Sequence, residues 1–177
     1  MAHSERSEPA RAGRRWRAGA SSGLVAGVAM GAVLHWMLGL MPTIGALIGT
    51  ETVLAGWAVH LFNSTLFGGL FVALFDRPFF ADLRGDVGGC LSLGVLHSAL
   101  LGVITGGLLL PTAIAVEGAT TLPVPTLPVP GLTASFEFGV VIAVVHLVYG
   151  VVLGRVFAAF TLAEGAIGWL PISPVNR

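Results

Sequence analysis

Four long apolar segments, separated by shorter polar ones, dominate the chain. Each is close in length to the ~20 residues that an α-helix needs to cross the hydrocarbon core of a bilayer. The segments cover residues 19–41, 51–75, 89–110 and 135–160. The pattern predicts an all-α fold in which residues 19–160 form a bundle of four transmembrane helices.

The segments outside these spans are polar or rich in proline. Residues 1–18 and 161–177 are predicted to be cytoplasmic tails, the first of them basic. The connection at 76–88 holds three aspartates and two arginines, which are costly to bury in hydrocarbon. Residues 111–134 contain TLPVP twice in succession, which favours an extended outer loop. Pro42 is predicted to end the first span, because the residue before a proline disfavours helix.

Composition supports a membrane protein. The chain is 55% hydrophobic and 10% charged, with a mean hydropathy of +0.89, whereas soluble domains carry roughly 25% charged residues. The lipid bilayer is therefore the predicted partner, and a net charge of zero gives no reason to expect a nucleic acid. The single cysteine, Cys90, has no partner for an intramolecular disulfide and is interpreted as a small buried residue.

The basic residues are distributed unevenly along the chain. There is no lysine, and the arginines fall in the tails, in the loop at 76–88 or, for Arg155, near the end of the fourth span. The connections at 42–50 and 111–134 contain none. Cytoplasmic loops of membrane proteins carry the excess of basic residues. The pattern predicts a multi-pass protein of the plasma membrane with both termini in the cytoplasm.

The second and fourth spans share a pattern at one offset of 86 residues. The matched pairs are Glu51 with Glu137, His60 with His146, Leu61 with Leu147, Gly68 with Gly154, Phe71 with Phe157 and Ala73 with Ala159. The segments MPTIGALIG and LPTAIAVEG align at a second offset, of 69 residues. Together they predict two helical-hairpin repeats in parallel orientation, related by an axis along the membrane normal.

Small residues recur at every fourth position in these spans. Residues four apart share one face of a helix, and small side chains there allow two backbones to approach closely. In the second span this face also holds His60, which predicts that the histidine points into the bundle. The small residues are Gly23, Gly27 and Gly31, then Gly56, Ser64 and Gly68, then Gly94, Ser98, Gly102 and Gly106, and finally Gly150 and Gly154.

Four histidines lie within the predicted spans, although ionisable residues are rare in lipid. His35, His60 and His146 fall at a similar depth, about 20–25 Å above the inner edge of the bilayer core, and His97 falls lower. Polar residues on the same helix faces provide a predicted second shell or solute pathway. These are Asn63, Ser64 and Tyr149, together with His97.

The histidines admit several interpretations. Each could simply donate a hydrogen bond to a neighbouring helix, as polar residues in membrane bundles commonly do. His60 and His146 could instead be the two axial ligands of haem b, with small residues making room for the macrocycle. A third interpretation is a copper or zinc site made by His35, His60 and His146, although no carboxylate or thiolate lies at their level.

Two other classes of function stay open. The intramembrane polar residues could relay protons or line the path of a small solute. The small-residue faces also suit an accessory subunit of a larger membrane complex, or a homo-oligomer. No phosphate-binding loop or HExxH motif is present, so the sequence gives no specific reason to expect an enzyme.

A run in the second span resembles a known group of proteins. Gly56, Trp57, His60, Leu61, Ser64, Phe67 and Gly68 form the pattern GW-x-x-HL-x-x-S-x-x-FG. The pattern looks like that of small four-span membrane proteins of haloarchaea and other prokaryotes, a family with no established activity. The resemblance covers the spans and implies the architecture, but it assigns no residue roles. The long TLPVP insertion is a departure from that family.

Overall fold

A computed structural model of the chain describes residues 7–109 and 136–167, with side chains for 11–109 and 139–162. The proline-rich loop predicted at 111–134, with its LPTAIAVEG segment, lies outside the described residues. Within the described part there are helices and turns but no strand. The long helices are α1 (Ser7–Leu38), α3 (Val53–Phe75), α4 (Val87–Leu101) and α5 (Phe136–Ile167), and the short α2 is Met41–Ala46.

The predicted all-α fold with four spans is confirmed. In the described part of the chain, four helical segments are long and apolar enough to cross a membrane. Large apolar side chains cover their outer faces, including Leu54 at 80% exposure and Val103 at 71%. Such a surface suits a lipid bilayer, because lipid does not penalise exposed apolar groups. The internal repeat stays a prediction.

The first helix differs from the prediction at both ends. It begins at Ser7, so most of the predicted basic tail at 1–18 is helical; this segment is rich in alanine and arginine, which are strong helix formers. At its other end the helix stops at Leu38 and not at Pro42. Gly39 has a φ of 61°, and the Leu40 amide donates to the Leu34 carbonyl at 3.2 Å, which closes the helix. Pro42 lies instead in the first turn of α2.

The charged loop between α3 and α4 is ordered by its polar groups. Two short 3₁₀ turns, Pro78–Phe80 and Leu83–Gly85, occupy it. Asp76 forms ion pairs with Arg15 of α1 and with Arg84 of the loop. The Asp86 carboxylate then accepts a hydrogen bond from the Gly89 amide at 2.8 Å and so caps α4.

The third span is not a uniform α-helix. Beyond Leu101, α4 continues as a π-helix over Gly102–Leu109. Its hydrogen bonds run from i to i+5, a geometry that is rare and frequently found at functional sites. Sequence periodicity does not predict this change, because the spacing of Gly94, Ser98, Gly102 and Gly106 fits a continuous α-helix.

The bundle consists of two glycine-packed helix pairs. α1 packs on α3, α4 packs on α5, and α1 also packs along α5, whereas α3 and α4 touch at few residues. A methyl group on Gly23 would lie 2.8 Å from the Gly68 Cα atom, and one on Gly94 would lie 3.0 Å from the Gly154 Cα atom. The predicted small-residue faces are therefore real helix contacts, and the space between α3 and α4 stays open.

Candidate intramembrane binding site

A cavity of about 470 Å³ lies between α3 and α4, where these two helices barely touch. His60 of α3 and His146 of α5 both line it, and both are buried, at 8% and 7% exposure. Their burial agrees with the expectation that these histidines point into the bundle, and their role at the site stays a prediction. The other polar residues in the wall are Asn63, Ser64, Thr105 and Tyr149, and the remainder is apolar.

His60 is held against α1. Its Nε2 atom lies 2.9 Å from the Gly27 carbonyl oxygen. A carbonyl can only accept, so Nε2 carries the proton and Nδ1 keeps the lone pair. The ring also packs edge-on against Trp57, with centroids 6.1 Å apart. Gly31 makes room for this arrangement, because a methyl group there would lie 2.9 Å from the His60 Cδ2 atom.

His146 has the opposite tautomer. Its Nδ1 atom donates to the carbonyl of Ile142, one turn earlier on α5, at 2.8 Å. Nε2 is therefore an acceptor, and its nearest polar neighbour is the Thr105 Oγ1 atom at 3.4 Å. That hydroxyl already donates its single proton to the Leu101 carbonyl at 2.7 Å. The Nε2 lone pair of His146 is consequently left available at the cavity wall.

The predicted second-shell residues differ in whether their side chains form hydrogen bonds. The Tyr149 hydroxyl donates to the Ser64 carbonyl at 2.8 Å, which links α5 to α3 at the wall of the cavity. Asn63 lines the cavity, and within the described part of the chain its amide makes no hydrogen bond. Thr105 was not predicted, although its hydroxyl, which lies between Gly102 and Gly106, was a signal that could have marked it.

His97 does not belong to this site. Its Nε2 atom lies 3.0 Å from the Phe67 carbonyl oxygen, and its ring packs edge-on against Phe71 and Phe75. It is 1% exposed and is absent from the wall of the cavity. His97 therefore bonds to a neighbouring helix, α3. This is the purely structural interpretation that the sequence left open for each of the four histidines.

The predicted three-histidine metal site is not formed. Among the described residues, no three His, Cys, Asp or Glu side chains come close enough together to hold a metal ion. The physical reason is Trp57, whose ring centroid lies 6.1 Å from that of His35 and 6.1 Å from that of His60. The indole packs against both imidazoles, and His35 stays outside the cavity wall.

Comparison with known proteins assigns no function to this arrangement. No family model, no curated protein and no solved structure matches the chain. The resemblance to haloarchaeal-type four-span proteins therefore stays an expectation from sequence.

Proposed function

We propose that this protein is a plasma-membrane protein that binds a small, mainly apolar ligand in the cavity between α3 and α4. The observation that carries the proposal is that His60 and His146, from two different helices, line one concave space of about 470 Å³. Ligand sites in proteins are typically concave and apolar, of about 300–1,000 Å³, with a few well-placed polar groups. This cavity has that character.

Haem b is the specific candidate ligand, and the two histidines suit it unequally. His146 keeps its Nε2 lone pair while Nδ1–H is bound to the Ile142 carbonyl, which is the usual support of a metal-bound histidine. His60 would first have to release its Nε2 from the Gly27 carbonyl. The geometry thus favours His146 as an axial ligand more than the paired ligation by His60 and His146.

The contacts of the two histidines also support the proposed hairpin repeat. Gly31 of α1 faces Trp57 and His60, and Gly102 at the end of α4 faces His146. Lower in each pair, the backbone of Gly23 meets Gly68, and that of Gly94 meets Gly154. Related contacts in both pairs are what a duplicated hairpin would produce. We include in the proposal that the repeats are parallel and that both termini are cytoplasmic.

A route into the site favours permeation as the second candidate function. A further cavity of about 400 Å³ lies in the groove between α4 and α5 and also reaches His146. The imidazole therefore stands between two spaces, and Gly102, Gly106 and Gly107 form part of the outer one. A small solute could pass His146 if its side chain moved. An accessory-subunit function has no comparable observation in its favour.

The test is to identify what co-purifies with the protein. We expect protein from haem-replete cells to show a Soret band that is lost in His146→Ala and weakened in His60→Ala. His97→Ala is the matched control, because it removes another buried histidine that is bonded to a carbonyl but lies away from the cavity. It should keep the band.

Native mass spectrometry of the same samples extends the test to ligands without colour. A bound small molecule that is lost in both cavity variants and kept in His97→Ala would support the binding function and exclude haem. A wild-type protein that carries neither haem nor another ligand would overturn the proposal. Solute flux in liposomes that depends on His146 would then favour permeation.

A further inference from the structure

A third concave site lies at the arginine-bearing end of the bundle. It has a volume of about 530 Å³ and shares no residue with the histidine-lined cavity. One wall comes from the first turns of α1 and the loop before α4, and the other comes from the end of α5. Five guanidinium groups line it, those of Arg11, Arg14, Arg15, Arg17 and Arg84.

This pocket holds more positive charge than its described carboxylates balance. Asp76 forms ion pairs with Arg15 and Arg84, whose side chain is only 16% exposed. Among the described side chains, Arg11 and Arg17 form no ion pair. Arginines three and four residues apart on one helix repel each other. A bound anion would relieve this repulsion.

The opposite wall of the pocket is apolar. Phe157, Phe160 and Leu162 of α5 line it, and Phe157 belongs to the core of the bundle. Nearby on α1 the Trp16 ring packs over Gly69, and an exposed tryptophan at the end of a span is typical of the head-group level of a bilayer. The site therefore combines guanidinium groups with an apolar surface at the boundary between water and lipid.

From this combination we propose that the pocket binds a phosphate-bearing anion, either the head group of an anionic phospholipid or a free phosphate. Guanidinium groups bind phosphate through paired hydrogen bonds, and basic pockets between transmembrane helices bind anionic head groups. An acyl chain of a phospholipid would lie against Phe157 and Phe160. A free phosphate would use only the arginines.

The experiment measures binding of three probes to the purified full-length protein in detergent: phosphatidylglycerol, phosphatidylcholine and inorganic phosphate. We expect Arg11→Gln with Arg17→Gln to weaken phosphatidylglycerol binding about tenfold or more, because a charge-assisted hydrogen bond contributes about that factor. Arg77→Gln with Arg155→Gln removes equal charge outside the pocket and should change the affinity for phosphatidylglycerol less than about twofold.

Two further variants keep the result interpretable. Arg11→Lys with Arg17→Lys preserves the charge and the fold but removes the planar guanidinium groups that bind phosphate through two hydrogen bonds. An intermediate loss of phosphatidylglycerol affinity is expected. Phe160→Ser removes apolar surface from a half-exposed position and should weaken phosphatidylglycerol binding without changing phosphate binding.

The outcomes separate the two sources of the anion. Tight phosphatidylglycerol binding with weak phosphate binding identifies a lipid site, and equal competition by phosphate identifies a site for the small anion. Equal binding of phosphatidylcholine, or an equal loss in the Arg77 and Arg155 control, would overturn the proposal. None of these measurements involves the histidine-lined cavity.

Discussion

Several buried polar side chains in the described part of this bundle form hydrogen bonds with main-chain carbonyls. His60 contacts the carbonyl of Gly27, His97 that of Phe67, and Tyr149 that of Ser64. A transmembrane span offers no water, so each polar hydrogen needs a protein acceptor. A helical carbonyl has a second lone pair beyond its own helix bond and can supply one. Backbone carbonyls can therefore satisfy buried histidine and tyrosine side chains, and no second polar side chain is needed as a partner.

Glycines let α1 and α3 approach closely, and His60 of α3 reaches the Gly27 carbonyl of α1 across this contact. Gly68 and Gly69 test this residue by residue, since they are adjacent on α3. A methyl group on Gly68 would lie 2.8 Å from the Gly23 Cα atom of α1, whereas one on Gly69 meets only the Trp16 ring at 3.4 Å. We expect Gly68→Ala to lower the free energy of unfolding by about 1–3 kcal/mol through overpacking.

The matched control is Gly69→Ala, which should leave stability unchanged or raise it by about 0.5–1 kcal/mol, as alanine favours helix over glycine. Unfolding by heat or denaturing detergent, followed by circular dichroism, measures both variants. Equal effects of the two substitutions would show that α1 and α3 do not meet at Gly68.

At the scale of the element, run lengths predicted the existence of each span but not how it ends. The apolar run starts near residue 19, yet the helix itself begins at Ser7, because arginine and alanine favour helix before the apolar run begins. Pro42 is an obvious breaker, but Gly39 ends the helix first. The π-helix at Gly102–Leu109 was not predictable from sequence, because its glycines accept either geometry; in the fold, Gly102 and Gly106 lie against His146.

The start of α4 provides a prediction about helix capping. Asp86 accepts the Gly89 amide at 2.8 Å, whereas Asp82 in the same loop makes no capping hydrogen bond. We expect Asp86→Ala to lower the free energy of unfolding by about 1 kcal/mol. Asp82→Ala removes the same charge and should change it by less than about 0.5 kcal/mol. Thermal unfolding in detergent distinguishes the two, and equal losses would attribute the effect to loop charge instead of the cap.

At the scale of the whole molecule, the sequence predicted which histidines are buried but not which helices pack against them. The repeated position and the small-residue face correctly predicted that His60 and His146 are buried. Which nitrogen each ring offers depends on the helix it packs against, and a single sequence does not say that α1 supplies the partner of His60. The arginine pocket was not predicted for the same reason: its walls come from residues far apart in the chain, and a single sequence does not show that they are neighbours.

The unequal ends of the bundle give a prediction about how the chain is oriented in the membrane. The α2–α3 connection lacks basic residues, whereas the loop between α3 and α4 holds Arg77 and Arg84. Basic loops are retained in the cytoplasm. In a Cys90→Ala background, we expect Thr50→Cys to react with a membrane-impermeant maleimide on intact cells. Ala81→Cys should react only after the cells are broken. Both positions are exposed in the fold and neither substitution changes the charge.

Unsubstituted protein is the control for reagent access, since its single thiol, Cys90, is 0% exposed and should react only after denaturation. The reverse pattern, with Ala81→Cys labelled on intact cells, would place the arginine pocket on the outside. Anionic lipids concentrate in the inner leaflet, so that orientation would deprive the pocket of its proposed lipid. Labelling of both positions from one side would mean that α3 does not cross the bilayer, although its length and apolar surface are those of a span.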